Sequence, residues 1–246
     1  MPDVVLLLIA ASATALATGI GAVPVFFLGA RAARLTPILL GFAAGVMGVA
    51  SFVGLLIPAG EEGSAAEVAG GLLAGAAVLG VAWRWFDADA SFMGRSGPGV
   101  RTSALTFFVL LVHSLPEGFA IGTAFASDRA GLSLFVILAI ALQNVPEGTS
   151  VAIPMASAGF GRSRQFWAAV ATSAPQPVGA LVAYLLVEQV ESLLPFSFAL
   201  AAGAMLALIA VELLPKAYAG RRFAGPSGGL AVGAALMFGL SLALGV

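Results

Sequence analysis

The fold is decided by the stretch Val112-His113-Ser114-Leu115-Pro116-Glu117-Gly118, which has a near copy in Leu142-Gln143-Asn144-Val145-Pro146-Glu147-Gly148. Each copy lies in an apolar run that is long enough to cross a bilayer. His113 and Glu117 stand at positions i and i+4, which share one face of a helix. An ionisable group at mid-membrane costs about 2.5–3.5 kcal/mol on insertion scales, so such groups are rare and usually functional. The two motifs therefore indicate a polar centre that the other helices enclose.

The composition is that of a polytopic membrane protein. Of 246 residues, 60% are hydrophobic and 9% are charged, whereas a soluble domain has about 25% charged residues. The mean hydropathy is +1.06. The absence of cysteine excludes disulfides, thiolate metal sites and cysteine nucleophiles. Ala15-Leu16-Ala17 resembles a signal-peptidase site, but no basic segment precedes it and the apolar pattern continues to Leu28, so we predict a retained helix.

Eight segments are long and apolar enough to be membrane-spanning helices. We predict them at about 4–28, 36–58, 68–86, 103–126, 131–155, 165–187, 195–214 and 227–244. The longest connection, at 87–101, is still only a modest loop. The sequence therefore predicts an all-α polytopic protein, an eight-helix bundle that forms one membrane domain over residues 1–246. We expect no nucleic-acid partner.

The charged residues are segregated by connection. Ten of the eleven lysines and arginines fall in or beside the odd-numbered connections: Arg31, Arg34, Arg84, Arg95, Arg101, Arg162, Arg164, Lys216, Arg221 and Arg222. Arg129 alone falls on the other side, together with the acids Glu61, Glu62, Glu67, Asp128, Glu188 and Glu191. The positive-inside rule then places the odd-numbered connections in the cytoplasm and both termini outside.

Glycines at helical spacing recur in three of the predicted helices. The pairs are Gly41 and Gly45, Gly71 and Gly75, and Gly229 and Gly233. Small residues four apart allow helices to approach closely in lipid. The pattern indicates a tight bundle and leaves open whether any pair instead forms the face of a homodimer.

The fourth and fifth helices bring together the chemistry of a metal site. In each helix a polar pair stands three and four residues before a glutamate, so the three side chains can converge on one face. Pro116 and Pro146 lack the N–H that would bond the preceding turn, which frees carbonyl groups where the polar side chains cluster. Two carboxylates, an imidazole, two amides and a hydroxyl suit a divalent cation such as Zn²⁺, Fe²⁺, Mn²⁺ or Co²⁺. A single His-x-x-x-Glu could equally be a buried structural pair, but the doubled motif favours a site.

These motifs resemble those of the Zrt/Irt-like (ZIP) family of divalent metal transporters, in its bacterial form. The likeness extends over nearly the whole chain and includes residues 41–47, the two Pro-Glu-Gly motifs, and Ala202-Gly203-Ala204-Met205 leading to Glu212-Leu213-Leu214-Pro215. The resemblance implies a bundle in a 3+2+3 arrangement, in which helices 1–3 and 6–8 form inverted repeats around the central pair. It also implies transport of a metal, zinc above all, into the cytoplasm, and a location in a bacterial cytoplasmic membrane.

The resemblance further implies two adjoining metal positions. The first would use His113, Glu117, Gln143 and Glu147, with Met47 as a further ligand from the second helix. The second would add residues 114 and 144 and a carboxylate from the sixth helix. Here the sequence departs from the family pattern, because residue 114 is serine and Gln176 stands where a glutamate is expected. We therefore expect the second position, with Ser114, Asn144 and Gln176, to bind metal weakly.

Two questions stay open at this stage. Glu212 is the one other acid deep in an apolar run, and it is either a helix-end residue at the cytoplasmic interface or part of the metal pathway. The alternative functions are an intramembrane metalloenzyme and a non-transporting metal-binding protein. We expect no enzyme, because the chain has one histidine and no His-Glu-x-x-His motif.

Overall fold

The computed structural model describes residues 2–84, 92–95, 97–220 and 223–246. In these residues the chain is helical throughout, apart from short connections and an isolated bridge between Phe92 and Arg95. The helices are α1 (Pro2–Leu28), α2 (Thr36–Glu62), α3 (Ala65–Arg84), α4 (Pro98–Ala126), α5 (Ala130–Ser157), α6 (Arg162–Gln189), α7 (Glu191–Tyr218) and α8 (Ala224–Leu244). The all-α polytopic prediction is confirmed.

Seven of the described helices are long and apolar enough to cross a membrane. In α3 the apolar part, Ala65–Val81, is shorter, so an eighth crossing stays a prediction. The end of the third predicted segment, at 85 and 86, lies outside the described residues. The longer bounds of α4 and α6 arise because both helices start earlier than predicted, at Pro98 and Arg162.

Helices α2 and α7 continue past the prolines at which the prediction ended or nearly ended them. Each contains one π-helical turn, at Phe52–Leu56 in α2 and Ile209–Leu213 in α7, and each has a proline two residues later. A π turn holds one more residue than an α turn, which changes the carbonyl positions ahead of the proline ring. The helix therefore passes the proline without ending, and α7 reaches Tyr218.

The packing of the bundle has an internal two-fold pattern. Helix α2 packs along α8 as α3 packs along α7, and α1 packs along α5 as α4 packs along α6. This pairing exchanges helices 1–3 with 6–8 and α4 with α5, as the 3+2+3 arrangement requires. Ala43–Met47 (Ala-Ala-Gly-Val-Met) and Ala201–Met205 (Ala-Ala-Gly-Ala-Met) occupy matching places in α2 and α7. The repeats therefore share packing and a short sequence signature.

The glycine pairs place helix backbones in direct contact. A Cβ atom at Gly45 would lie 2.2 Å from the carbonyl oxygen of Leu230, and one at Gly233 would lie 2.3 Å from that of Phe42. These glycines are used within the chain, where α2 meets α8. A homodimer stays a prediction.

The two ends of the bundle differ in charge, as predicted. At one end Arg95 donates to the carbonyl of Ala158 at 2.9 Å, and Arg162 donates to that of Phe26 at 3.2 Å. These contacts join the first, third and fifth connections, so we call this the basic end. At the opposite, acidic end, Arg129 pairs with Glu61 and Glu62 at 3.3 and 2.8 Å. The predicted positions of Arg221 and Arg222 lie outside the described residues.

Candidate metal centre

The six polar residues of the two motifs are buried together in the middle of the bundle. The side chains on α4 and α5 are at most 2% exposed: His113, Ser114, Glu117, Gln143, Asn144 and Glu147. The glycine of each motif allows a third and a fourth helix to approach. A Cβ atom at Gly118 would lie 2.1 Å from the carbonyl oxygen of Gln176, and one at Gly148 would lie 1.7 Å from that of Thr18. Helices α6 and α1 therefore complete the walls of the centre.

Both oxygens of the Glu117 carboxylate accept hydrogen bonds from amides. Gln143 Nε2 donates to Oε1 at 2.6 Å, and Gln176 Nε2 donates to Oε2 at 2.7 Å. These bonds connect α4 to α5 and to α6. They satisfy a carboxylate that would otherwise be buried without partners, which is costly.

The orientation of the Gln176 amide follows from a backbone carbonyl on α1. Asn144 Nδ2 lies 2.7 Å from the carbonyl oxygen of Thr14, which can only accept, so the Asn144 nitrogen must face it. Asn144 Nδ2 and Oδ1 then lie 3.3 Å from Oε1 and Nε2 of Gln176, a match of donors with acceptors that a flipped Gln176 would break. The Thr14 hydroxyl also lies 2.8 Å from Gln176 Oε1. The network therefore turns the NH₂ group of Gln176 towards Glu117.

Glu212 joins the centre from α7. Its Oε2 atom lies 3.1 Å from His113 Nε2, and its other oxygen pairs with Lys216. The Glu212 side chain is only 7% exposed. It therefore points inward to the histidine, and its place on a metal pathway stays a prediction.

Glu147 has the least satisfied carboxyl group of the centre. It lies within electrostatic reach of both Glu117 and Glu212. Among the described residues, neither its Oε1 atom nor Oε1 of Gln143 has a hydrogen-bond partner. Two carboxylates at close range repel unless a proton or a cation lies between them. These two buried acceptor oxygens are what a cation could satisfy.

The predicted ligands lie in one region, where they form hydrogen bonds and ion pairs with one another and with neighbouring side chains. Across the described residues, no three histidine, aspartate or glutamate side chains are close enough together to hold an ion. The reason is local: Glu212 lies against His113, and two amides hold Glu117. Ser114 donates to the carbonyl of Leu110 on its own helix at 3.1 Å. Met47 is fully buried on α2, and its role as a ligand stays a prediction.

A cavity of about 310 Å³ extends from Glu147 to the basic end. Besides apolar groups, its lining includes Thr36, Thr102, Thr106, Ser150, Glu212 and Lys216. On the acidic side of the centre the interior is filled by Leu55, Phe135 and Phe198, all fully buried. The centre is thus connected to one end of the bundle and closed towards the other.

Two parts of the centre were not identified from the sequence. Thr14 bonds Asn144 and Gln176, and the neighbouring turn of α1 places Thr18 Oγ1 2.6 Å from Ser173 Oγ on α6. The available signal was the i, i+4 spacing of the two threonines in an apolar helix. The second is the ion pair of Lys216 with Glu212, which has the same spacing.

Comparison with known proteins assigns the chain to a family. The profile of the ZIP zinc transporter family matches residues 95–241, the part that contains both motifs. The chain is 33% identical to zinc transporter GufA of Myxococcus xanthus over 253 aligned positions, and the alignment covers 97% of this chain and 98% of GufA. The chain belongs to the ZIP family.

Other ZIP relatives agree with this assignment. Zinc transporter ZIPB of Bordetella bronchiseptica is 34% identical over 243 aligned positions, and the alignment covers 93% of this chain and 78% of ZIPB. An Arabidopsis thaliana protein provisionally named a zinc transporter is 36% identical over 214 aligned positions, and the alignment covers 84% of this chain but only 33% of the plant protein. This ZIP protein is therefore an integral membrane transporter of divalent metal cations, and not an enzyme.

Proposed function

We propose that this ZIP protein moves zinc into the cytoplasm through the centre between α4 and α5. The observation that carries the proposal is the buried Glu147, whose unpartnered oxygen stands at the inner end of the cavity. The cavity opens at the basic end. The positive-inside rule places that end in the cytoplasm. The structure then corresponds to the inward-facing conformation, from which a bound ion is released into the cytoplasm.

The first metal position consists of His113, Glu117, Gln143 and Glu147, with Met47 as a further ligand. Binding requires two local changes. His113 exchanges Glu212 for the ion, and the Gln143 amide turns so that Oε1 replaces Nε2 beside Glu117. Imidazole nitrogen and carboxylate oxygen are ordinary zinc ligands, which supports zinc over a harder cation.

The second position, with Ser114, Asn144 and Gln176, does not hold a tightly bound ion. The amide NH₂ of Gln176 occupies the side of Glu117 on which a second cation would bind. Asn144 and Gln176 are neutral, so Glu117 and Glu147 would have to neutralise two dications. Two dications at close range repel strongly in a low dielectric. The protein therefore binds one ion tightly per chain, at the first metal position.

We further propose that the protein resides in a bacterial cytoplasmic membrane, as its similarity to the bacterial proteins GufA and ZIPB supports. The positive-inside rule supports a topology with both termini outside. A homodimer stays a prediction. The test of the transport proposal is uptake into proteoliposomes of zinc, iron, manganese, cobalt and cadmium, each supplied separately as the divalent ion. The pH is set independently on the two sides. Zinc accumulation that depends on the protein supports the proposal, whereas zinc binding with no uptake identifies a non-transporting metal-binding protein.

A further inference from the structure

Lys216 holds one side of a carboxylate whose other side contacts the metal centre. It lies one helical turn beyond Glu212 and pairs with Oε1, while Oε2 of Glu212 faces His113 Nε2 at 3.1 Å. The Lys216 side chain is 52% exposed, whereas that of Glu212 is 7% exposed. Both residues line the cavity that begins at Glu147. Glu212 thus stands between the centre and an exposed ammonium group at the mouth of the cavity.

The two repeats of the bundle differ at this place. Each of α2 and α7 contains a π turn, and Leu55 and Glu212 take the same place in these turns when counted back three residues from Pro58 and Pro215. Leu55 is fully buried in the apolar core, whereas Glu212 forms ion pairs on both of its oxygens. Of these two matched positions, the one that lines the cavity is therefore the charged one.

We propose that Lys216 is a tethered cation that takes the place of the metal at Glu212, so that the ion leaves the protein quickly. The inference rests on the proposed transport through this cavity. An ion that leaves Glu147 meets Glu212 before it reaches solvent. A buried carboxylate without a partner would retain a dication. The ammonium group neutralises Glu212 and repels the departing ion, so the carboxylate guides the metal without holding it.

The side chain of lysine suits this function. Its charge is compact and lies at the end of a flexible four-carbon chain, so it can move into solvent while an ion passes and return afterwards. The spacing of four residues on α7 returns the ammonium group to Glu212 once the ion has passed. An arginine at residue 216 would keep the charge, and a glutamine would keep most of the length without it.

The test compares Lys216→Gln with Lys216→Arg in proteoliposomes. Without the tethered cation, zinc stays longer at Glu212, so both kcat and KM for zinc uptake fall about five- to tenfold. The Lys216→Arg variant keeps both constants within about twofold of the wild type, because the positive charge is retained. Equilibrium dialysis with metal analysis should find an additional zinc ion in Lys216→Gln, which is absent from the double variant Lys216→Gln, Glu212→Gln.

Two results for Lys216→Gln would contradict the proposal. If Lys216→Gln leaves kcat and KM unchanged, or lowers kcat without lowering KM and binds no additional zinc, Lys216 is an ordinary interfacial lysine. If the wild type itself takes up no zinc, that result contradicts the proposed transport function and leaves the inference about Lys216 to the dialysis experiment. Dialysis then decides on Lys216 alone: an additional ion that requires Glu212 supports the inference, and its absence overturns it.

Discussion

Gln176 Nε2 donates a hydrogen bond to Oε2 of Glu117 at 2.7 Å. The contact places an amide, rather than a carboxylate or a cation, against the glutamate of the first Pro-Glu-Gly motif. The surrounding bonds to Asn144 and Thr14 fix the amide in this orientation. A neutral donor thus occupies the space in which a second ion would need an anion.

The number of tightly bound ions follows from this contact. We expect one zinc ion per chain in the wild type at saturating but not excess zinc. Gln176→Glu supplies a third carboxylate and should raise the number towards two, with slower zinc release. Metal analysis of the purified proteins after dialysis measures both. Two tightly held ions in the wild type would show that the amide network does not exclude the second.

The glycine of the second motif should be essential for packing. In Gly148→Ala the new Cβ atom would lie 1.7 Å from the carbonyl oxygen of Thr18, so α1 must move away from α5. Overpacking of this kind destabilises a protein by about 1–3 kcal/mol or more. Gly48→Ala on α2 is the matched control, because a Cβ atom there has no neighbour within 4 Å. Thermal unfolding in detergent should show a lower Tm for the first variant alone; equal Tm values would contradict the described packing of α1 on α5.

The orientation can be tested with single cysteines, because the chain has none. Ser163 at the basic end and Ser192 at the acidic end are both exposed serines, which makes Ser163→Cys and Ser192→Cys a matched pair. A membrane-impermeant maleimide should label residue 192 in intact cells, and residue 163 only after permeabilisation. The reverse labelling pattern would place the mouth of the cavity outside the cell and would contradict the proposed orientation.

The central motifs were predictable because they place polar and ionisable residues in helices that are otherwise apolar. Ionisable and amide side chains in apolar runs are costly, so Glu117 and Glu147 stand out, and helical periodicity places them with His113 and Gln143 on facing surfaces. The charge segregation likewise predicted the two ends of the bundle. These inferences need only local spacing, and the structure brings the same residues together.

The rest depends on contacts between helices that are distant in sequence. A threonine in an apolar helix can bond its own backbone, so Thr14 gives no sign that it also bonds Gln176 on α6. The π turn that contains Glu212 has no residue pattern by which it can be predicted from the sequence. Lys216 is a common kind of residue at a membrane interface, and only its pairing with Glu212 distinguishes it.

The most direct measurement is the initial rate of zinc uptake into proteoliposomes that contain equal amounts of wild type, Glu117→Ala, Glu147→Ala and Ser150→Ala, all monodisperse in detergent. Ser150 lines the same cavity, and its hydroxyl donates to the carbonyl of Pro146 in its own helix, so its loss should leave uptake near the wild-type rate. Each glutamate variant should reduce uptake to the level of empty liposomes, because each removes one of the two carboxylates of the first metal position. Uptake near the wild-type rate in both glutamate variants would contradict a transport route through this centre.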